Sequence, residues 1–300
     1  MLAIIIPYYK LTFFEDTLKS LANQTDQRFN VYIGDDASIE NPSNLLEKYI
    51  RKFNIVYKRF DSNLGGTSLT KQWERCIDLS RNEEWIMILG DDDVLGENVV
   101  ESFYENLSEI IKEESNLVRF ASQLIDGIGE IFSNVFLHPK LETAKSSYWR
   151  KLKRKTRSSL SEYIFKRNIY LQFKFRQYPL AWNSDDMAWL MFSDFKDIYT
   201  INSTVVLVRQ THLSISGKKD NLKEKNTSQL MFLKDLMNSR IIKLTKKERI
   251  ELLYETEVSL KRKQKLTLVE WLQLAYEYIY IFSAIAILKF IRRFLIQLVR

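Results

Sequence analysis

The first part of the chain alternates short candidate strands with amphipathic segments, and this rhythm restricts its fold more than any other feature. Candidate strands lie at residues 2–7, 29–34, 54–60 and 85–89, and apolar residues at helical spacing lie between them. The run at 85–89 is apolar throughout, which is typical of a strand buried on both faces of a sheet. Four strand–helix units in about ninety residues predict an α/β fold, with a Rossmann-like, mostly parallel sheet flanked by helices.

Length and composition allow one large domain with an appendage. The chain has 300 residues, 45% of them hydrophobic, which is ample for a core. We expect a main domain over residues 1–216, made of a first part (1–125) and a second part (126–216), and a helical C-terminal region over 217–300. The single Cys76 excludes an internal disulfide in this sequence and falls at helical spacing, so we expect it to pack in the core.

Acidic residues follow two of the predicted strands. Asp35 and Asp36 follow the second strand, and Asp91, Asp92 and Asp93 follow the fourth. Because ligands bind at the carboxyl edge of open α/β sheets, both groups are candidates for one site. Mg²⁺ and Mn²⁺ prefer oxygen ligands and bind through one or two carboxylates plus substrate phosphates. The pattern predicts a site for a metal ion and a diphosphate; the alternative is a solvated turn that caps the next helix.

Other chemistries lack their sequence motifs. The glycine-rich dinucleotide and P-loop motifs are absent, and so is the nucleophile motif of α/β-hydrolases. His138 and His212 stand alone, without a second ligand at zinc spacing. The first residues lack a basic stretch, and Pro7 interrupts their apolar run, so we expect no signal peptide and a cytoplasmic start.

The positive charge of the chain is unevenly distributed. Residues 145–176 include eleven Lys or Arg and one acidic residue, Glu162, within a chain of net charge +7. Such a stretch attracts the phosphates of nucleic acid, anionic lipid or a lipid-linked diphosphate, although it is often only a solvated face. Residues 266–300 combine aromatic, aliphatic and basic side chains, and their uncharged run at 278–288 is shorter than the roughly twenty residues that a spanning helix needs. We predict an interfacial amphipathic helix, with a helix packed on protein as the alternative and a spanning helix as a third option.

Five ordered segments resemble one known family. They are residues 4–9, 17–25, 31–38, 63–66 and 89–93. Together they resemble family 2 glycosyltransferases of GT-A fold, and the resemblance covers roughly the first 125 residues. The chain departs from the family pattern at Gly90, which stands where the family has the first Asp of its Asp-x-Asp motif.

The resemblance implies roles for particular residues. The donor-binding positions are Pro7, Tyr9, Asp36, Asn63, Gly65 and Asp91. Asp92 is the expected metal ligand and Asp93 the second candidate, with Mn²⁺ or Mg²⁺ as the cofactor. Asp186 matches the general base and Asp185 is the fallback, although an N-cap without catalytic duty is the alternative for this pair. Arg209 is a candidate for a contact with phosphate, and the alternative is an ordinary surface arginine.

The resemblance also implies an activity. We expect an inverting glycosyltransferase that uses a nucleotide-sugar donor, UDP-linked in the first place, and a saccharide or lipid-linked acceptor. The basic stretch and C-terminal helix suggest capsule or O-antigen synthesis by an enzyme held peripherally on the inner face of the plasma membrane. We expect no nucleic-acid partner and leave an oligomer open. The alternatives are a metal-dependent nucleotidyltransferase and a non-catalytic basic protein that binds membrane or nucleic acid.

Overall fold

The computed structural model of the protein describes residues 1–300 except 213, 215, 216, 219, 239–241, 264, 265 and 300, and except the side chains of 263, 298 and 299. The predicted domain boundary at Ser216 and the predicted last residue of the interfacial helix, Arg300, therefore lie outside the described residues. The chain forms two compact units. Unit 1 comprises Met1–Gln177 and Ser184–Lys219, and unit 2 comprises Tyr178–Asn183 and Asp220–Arg300.

Unit 1 is a mixed α/β unit around one sheet, as the sequence predicts. Its strands are β1 (Leu2–Tyr8), β2 (Phe29–Asp35), β3 (Asn54–Arg59), β4 (Trp85–Ile88), β5 (Val94–Leu95), β6 (Leu117–Ile125), β7 (Leu141–Thr143), β8 (Tyr163–Lys166) and β9 (Asp197–Arg209). Its helices are α1 (Phe14–Ala22), α2 (Ser43–Glu47), α3 (Leu69–Ile77), α4 (Val99–Lys112), α5 (Ala144–Leu152), α6 (Arg167–Phe173) and α7 (Ser184–Phe192). The strand order is β3-β2-β1-β4-β8-β6-β9-β5, with β7 beside β9.

The centre of the sheet is fully buried because helices cover both of its faces. The residues of β1 from Leu2 to Ile6 and the four residues of β4 are almost completely inaccessible to solvent. Phe14 of α1 and Phe103 of α4 belong to the same core cluster as β1 and β4. Burying one such side chain contributes about 1.5–3 kcal/mol. Cys76 of α3 is also buried, as the sequence predicts, and burial raises the pKa of its thiol.

The sheet is mixed rather than mostly parallel. The strands β3, β2, β1 and β4 are parallel, but β8 lies between β4 and β6 and is antiparallel to both. Residues 145–176 show little regular periodicity, so their sequence predicts an irregular segment. A four-residue strand has little periodicity of its own, so its pairing with two neighbours decides its structure. The regular structure of α5, β8 and α6 corrects that expectation.

Two further differences concern strands near the end of unit 1. The apolar residues at 198–201 and 203–208 predict two short strands. The structure has one strand there, β9, whose register against β6 shifts where Phe120 pairs with Ile201 and Ala121 pairs with Val205. The bulge accommodates the polar residues that interrupt the apolar pattern. The two glycines at 127 and 129 predict a turn that leads into a strand up to Phe136. Residues 126–137, which we call the rim hairpin, instead fold back along β6 through two isolated bridges.

Unit 2 is helical. Its helices are α8 (Leu222–Asn238), α9 (Lys246–Lys263), α10 (Leu268–Ile281) and α11 (Ala284–Val299). The single helix predicted over 266–300 is therefore two helices, α10 and α11, separated at Phe282, whose φ of 54° is left-handed. We call this pair the C-terminal hairpin; Trp271 packs on Phe290 with a 5.2 Å distance between ring centroids. Within the described part of the chain, no helix combines the length and apolar character needed to cross a membrane.

Candidate functional site

The chain order of the sheet changes direction beside β1. The strands β2 and β3 extend the sheet on one side of β1, and β4 pairs on the other side. Ligands of open α/β sheets bind outside the carboxyl ends of strands at such a switch point. Here the backbone N–H groups of Tyr9 and Lys10 donate to Asp91 Oδ2, at N···O distances of 2.7 and 2.9 Å. Burial raises the pKa of Asp91 to about 6, and these two hydrogen bonds oppose the increase.

Asp36 lies at the end of β2 and is 5% exposed. Its carboxylate accepts hydrogen bonds from the backbone N–H groups of Leu64 at 2.7 Å and Gly65 at 2.9 Å, and it pairs with Arg75 of α3. The Arg75 guanidinium also lies 3.9 Å from the centroid of the Phe60 ring. A Cβ atom at Gly65 would lie 2.5 Å from Asp36 Oδ2, so this turn requires glycine. The structure thus brings together two of the predicted donor-binding residues.

The other predicted donor-side residues surround the same edge. Asn63 is exposed, and its Oδ1 accepts a 2.6 Å hydrogen bond from Gly66 N–H that fixes the turn. Tyr9 is 41% exposed, and its carbonyl accepts from the Ser38 hydroxyl at 2.6 Å. Pro7 lies within β1, next to β2. Tyr9 is therefore accessible to a ligand. Pro7 is part of the strand that precedes Tyr9.

The two candidate metal ligands have different surroundings. Both carboxylate oxygens of Asp93 are occupied inside the protein, since Oδ1 accepts from Arg209 N–H at 2.8 Å and Oδ2 accepts from the Ser161 hydroxyl. Throughout the described ranges, no other residue donates a hydrogen bond to the Asp92 carboxylate. Burial, then the charges of Asp93 and Asp91, raise the Asp92 pKa well above its usual range. Asp92 is the carboxylate best placed to accept a cation.

The carboxylates around Asp92 fit a divalent cation that would take its remaining ligands from a bound phosphate and from water. Crowded carboxylates repel one another, and a cation relieves that repulsion. Among the described residues, no group of three or more His, Cys, Asp or Glu side chains is arranged to hold a metal ion by itself. Mg²⁺ and Mn²⁺ do not require such a cage, because they commonly bind one or two carboxylates together with substrate phosphates and water.

Arg209 is 3% exposed, so the expectation of an ordinary surface arginine is wrong. Its guanidinium donates to the carbonyl of Asp92 at 2.9 Å, the carbonyl of Asp126 at 2.8 Å and the carboxylate of Asp16 at 2.7 Å. The cation also lies 4.4 Å from the centroid of the Phe13 ring. Arg209 therefore joins the segments that follow β4 and β6 to α1, and its charge is already paired within the protein.

The second acidic pair lies in the first turn of α7. Asp186 is 5% exposed, and both of its carboxylate oxygens accept from Lys151 Nζ, at 2.6 and 2.7 Å. Burial and the neighbouring Asp186 raise the pKa of Asp185 to about 6, against the opposing charge of Lys151. One carboxylate is thus held by a lysine, while the other has a proton affinity in the range useful for general base catalysis.

Residues 158–163 connect the two acidic groups. The Ser161 hydroxyl donates to Asp93 and accepts from Gly90 N–H at 3.0 Å. Ser158 and Tyr163, from the same segment, line a small cavity together with Lys151, Asp186 and other residues. The Tyr163 ring stacks on Trp189 of α7 at 4.1 Å. Residues 158–163 therefore contact both the segment after β4 and the surroundings of Asp186.

The sequence analysis missed several residues that shape this site. Arg75 orients Asp36, Lys151 pairs with Asp186, and Ser161 holds Asp93. The composition of residues 145–176 indicated only that cations are frequent there, and nothing in the pattern distinguished Lys151 from its neighbours. Of the predicted residues, His138 is structural: burial and nearby arginines hold its pKa well below its usual value.

Comparisons with known proteins agree with the resemblance. Residues 3–112 match the family model of Glycosyl transferase family 2. A curated relative, glycosyltransferase GlyG of Streptococcus pneumoniae serotype 4, is 24% identical over 110 residues. That match covers 36% of this chain and 36% of the relative, so the chain is aligned to about a third of the relative's length.

Solved structures share the fold over most of the chain. TarS of S. aureus, residues 1–349 in complex with UDP-GlcNAc, has a TM-score of 0.65 at 16% identity, covering 93% of this chain and 80% of that one. GalNAc-T7 with UDP, GalNAc and Mn²⁺ has a TM-score of 0.53 at 10% identity, covering 87% and 56%. At these identities the likeness establishes the fold, which is that of GT-A proteins. Residues 3–112 are thus similar to glycosyl transferase family 2, within a chain whose fold is that of GT-A proteins.

Proposed function

We propose that the protein is a glycosyltransferase that moves a sugar from a nucleotide-diphosphate sugar, UDP-linked in the first place, to a saccharide or lipid-linked saccharide. One observation carries the proposal. The Asp36 carboxylate with its backbone donors Leu64 and Gly65, which we call the Asp36 cradle, lies at the switch point of the sheet. The carboxylates of Asp91 and Asp92 lie at the same edge, and Asp91 accepts from the backbone of the exposed Tyr9. The UDP-GlcNAc complex of TarS and the UDP complex of GalNAc-T7 support a nucleotide sugar as the donor.

Asp36 has the capacity to recognise a nucleobase. A carboxylate offers about four lone-pair sites, and the donors given for Asp36 are Leu64, Gly65 and Arg75. The remaining site suits the imide N–H of uracil, while Tyr9 offers an aromatic surface for the base. Because the existing hydrogen bonds already fix the carboxylate, little side-chain entropy is lost when the base binds.

The diphosphate would lie against the end of β4. Asp92 would hold Mn²⁺ or Mg²⁺ there, with Asp91 keeping the loop after β1 in place and Asp93 as the second candidate ligand. When bound, such a cation neutralises charge on the departing nucleoside diphosphate. The protein's own contribution is to fix the backbone of Asp92, whose carbonyl accepts from Arg209.

Asp186 and Asp185 are the proposed bases for an inverting displacement. The acceptor oxygen bonds to the anomeric carbon as the bond to the diphosphate oxygen breaks, and the acceptor's hydroxyl proton passes to a carboxylate. The Asp186 carboxylate is paired with Lys151, and burial raises the pKa of Asp185 to about 6. Both lie in the first turn of a helix, so their position is fixed by α7 rather than by a loop.

Calorimetric titration of UDP tests the donor site. We expect binding in the presence of Mn²⁺, much weaker binding without metal, and loss of the metal-dependent part in Asp92→Asn, because the variant removes the charge that holds the cation. Asp78→Asn, at an exposed carboxylate at the end of α3, is the matched control and should bind as the native protein does. GDP is the second ligand to titrate. If neither nucleotide binds with metal present, the proposed transferase is contradicted and a non-catalytic relative becomes the better account.

The C-terminal hairpin supports membrane attachment as part of this function. Its exposed apolar side chains include Leu272, Tyr276, Ile279, Tyr280, Phe282, Ile285, Leu288 and Leu295. Lys289 and Arg292 are exposed among them, and no acidic residue follows Glu277. Apolar side chains interspersed with cations are typical of helices that lie in a membrane interface. We propose that this hairpin holds the enzyme on the inner face of the plasma membrane, where capsule or O-antigen precursors would be its acceptors.

Cosedimentation with anionic vesicles tests this attachment. Each cation near an anionic surface contributes about 1 kcal/mol, so Lys289→Gln with Arg292→Gln should weaken binding by on the order of 2 kcal/mol. Lys234→Gln with Lys247→Gln, at exposed positions of α8 and α9, is the matched control. Equal binding by the two double variants, or no binding of the native chain at low salt, would exclude attachment through the hairpin.

A further inference from the structure

The rim hairpin of unit 1 exposes several large apolar side chains. Five of its residues are 40–81% exposed. They are Ile128, Ile131, Phe132, Val135 and Leu137. The turn itself is well defined, because Asp126 Oδ1 accepts from the N–H groups of Ile128 and Glu130, both at 2.9 Å. Large apolar side chains that share one short ordered segment indicate a contact surface rather than isolated exposure.

A turn rich in lysine and arginine, which we call the basic turn, follows α5. Residues 150–157 include six Lys or Arg. Three of them form ion pairs with buried carboxylates: Arg150 with Glu142, Lys151 with Asp186 and Arg157 with Glu162.

The other three cations of this turn, Lys153, Arg154 and Lys155, are exposed. Arg154 has a left-handed φ of 56°, which ends α5 and turns the chain at this point. The three exposed cations are therefore consecutive at a defined turn, so they concentrate charge at the surface.

The rim hairpin and the basic turn are neighbours. The Arg157 guanidinium lies 5.9 Å from the centroid of the Phe136 ring and donates to the Ser122 hydroxyl at 3.0 Å. The backbone of Phe136 also donates to the Ser122 carbonyl, at 2.8 Å. Both segments are thus anchored on the same residue of β6. We call residues 128–137 together with 153–155 the rim surface.

The rim surface borders the candidate site. Its hairpin begins at Asp126, whose carbonyl accepts from Arg209 Nη1, and Arg209 Nε donates to the carbonyl of Asp92. One buried side chain therefore connects the base of the hairpin to the proposed cation ligand. A substrate group held at the rim surface would lie near the carboxyl ends of β4 and β6.

We propose that the rim surface docks unit 1 on an anionic lipid interface, separately from the C-terminal hairpin. Aliphatic and aromatic side chains beside three consecutive cations match the two layers of such an interface, in which acyl chains lie beneath charged headgroups. The one exposed acid of the hairpin, Glu130, leaves the surface net positive. A nucleic acid could bind the cations through its phosphates, but it would leave the aliphatic side chains exposed to water. The proposal goes beyond sugar transfer, and its test uses no donor.

A fluorescent reporter locates the contact in the full chain. The native Cys76 is buried, so a cysteine introduced by Ile131→Cys can be labelled selectively with a polarity-sensitive nitrobenzoxadiazole dye. We expect its emission to increase and shift to the blue with vesicles containing phosphatidylglycerol, and much less with phosphatidylcholine alone. Ile50→Cys, at a similarly exposed position of unit 1, is the control and should not respond. Ile285→Cys reports the C-terminal hairpin independently.

Charge removal gives a second measurement. Lys153→Gln, Arg154→Gln and Lys155→Gln together should lower the response at position 131 with an affinity loss on the order of a hundredfold, since each cation contributes about fivefold. The matched triple Arg51→Gln, Lys52→Gln and Lys112→Gln removes the same charge from exposed positions elsewhere. A silent probe at 131 beside a responding probe at 285 would overturn the proposal. So would a response at 131 that follows protein concentration without vesicles, which would indicate self-association.

Discussion

Asp186→Asn is expected to reduce sugar transfer by about 10²–10⁴-fold, the usual contribution of a general base, while UDP binds with nearly native affinity. The amide cannot accept the acceptor's proton, but it preserves the shape of the first turn of α7. Asp186 is on α7 and is paired with Lys151, whereas Asp36 is held by Leu64, Gly65 and Arg75, so we expect nucleotide binding to change little. Single-turnover transfer and calorimetric titration of the same preparation measure the two effects.

Asp185→Asn is the matched variant for this experiment. If Asp185 were the base, it would be the variant that abolishes transfer, and the native rate would fall as the pH decreases through about 6, because the protonated carboxyl cannot accept a proton. If Asp186→Asn removed nucleotide binding together with transfer, the residue would be structural. The role of Asp186 would then be limited to its ion pair with Lys151.

Arg209→Met is expected to lower the free energy of unfolding by about 2–5 kcal/mol. The variant leaves two partly buried carbonyls, of Asp92 and Asp126, without their donor, and an unsatisfied acceptor of this kind costs about 1–3 kcal/mol. The ion pair with Asp16 adds little, because the Asp16 side chain is 56% exposed. Methionine retains most of the volume beside Phe13, so a cavity is not the main cause.

Urea unfolding measures this change through a shift in midpoint at constant slope. Arg176→Met, at an exposed arginine of the same unit, is the control and should stay within about 0.5 kcal/mol of the native protein. A similarly small change in Arg209→Met would mean that the segments after β4 and β6 are held to α1 by other contacts. Nucleotide titration of the variant then reports separately whether the Asp92 backbone has moved.

The parts of the fold that could be predicted from sequence are those whose signals are local. The apolar run before Gly90 predicts a buried strand, and β4 is one. Gly65 was singled out by the resemblance, and the contact between its missing Cβ and Asp36 gives the physical reason. These features depend on the residues themselves and on their near neighbours.

The parts that could not be predicted depend on partners far away in the chain. Arg209 is separated by 117 residues from Asp92, and Lys151 by 35 from Asp186. Neither residue differs in type or spacing from arginines and lysines that remain at the surface. The short strand β8 likewise acquires its structure from β4 and β6. Only the folded structure determines which of many equivalent cations pairs with a distant carboxylate or carbonyl.

The hydrogen bonds that fix Asp36 bear on which pyrimidine the protein would accept. With Leu64, Gly65 and Arg75 all donating to it, the carboxylate has little freedom to rotate. It therefore presents a lone pair at a constant position. Uracil offers a hydrogen at N3, whereas cytosine offers a second lone pair there, so cytidine nucleotides would be repelled rather than merely bound less well. A rigid acceptor of this kind discriminates between the two bases without any movement of the protein.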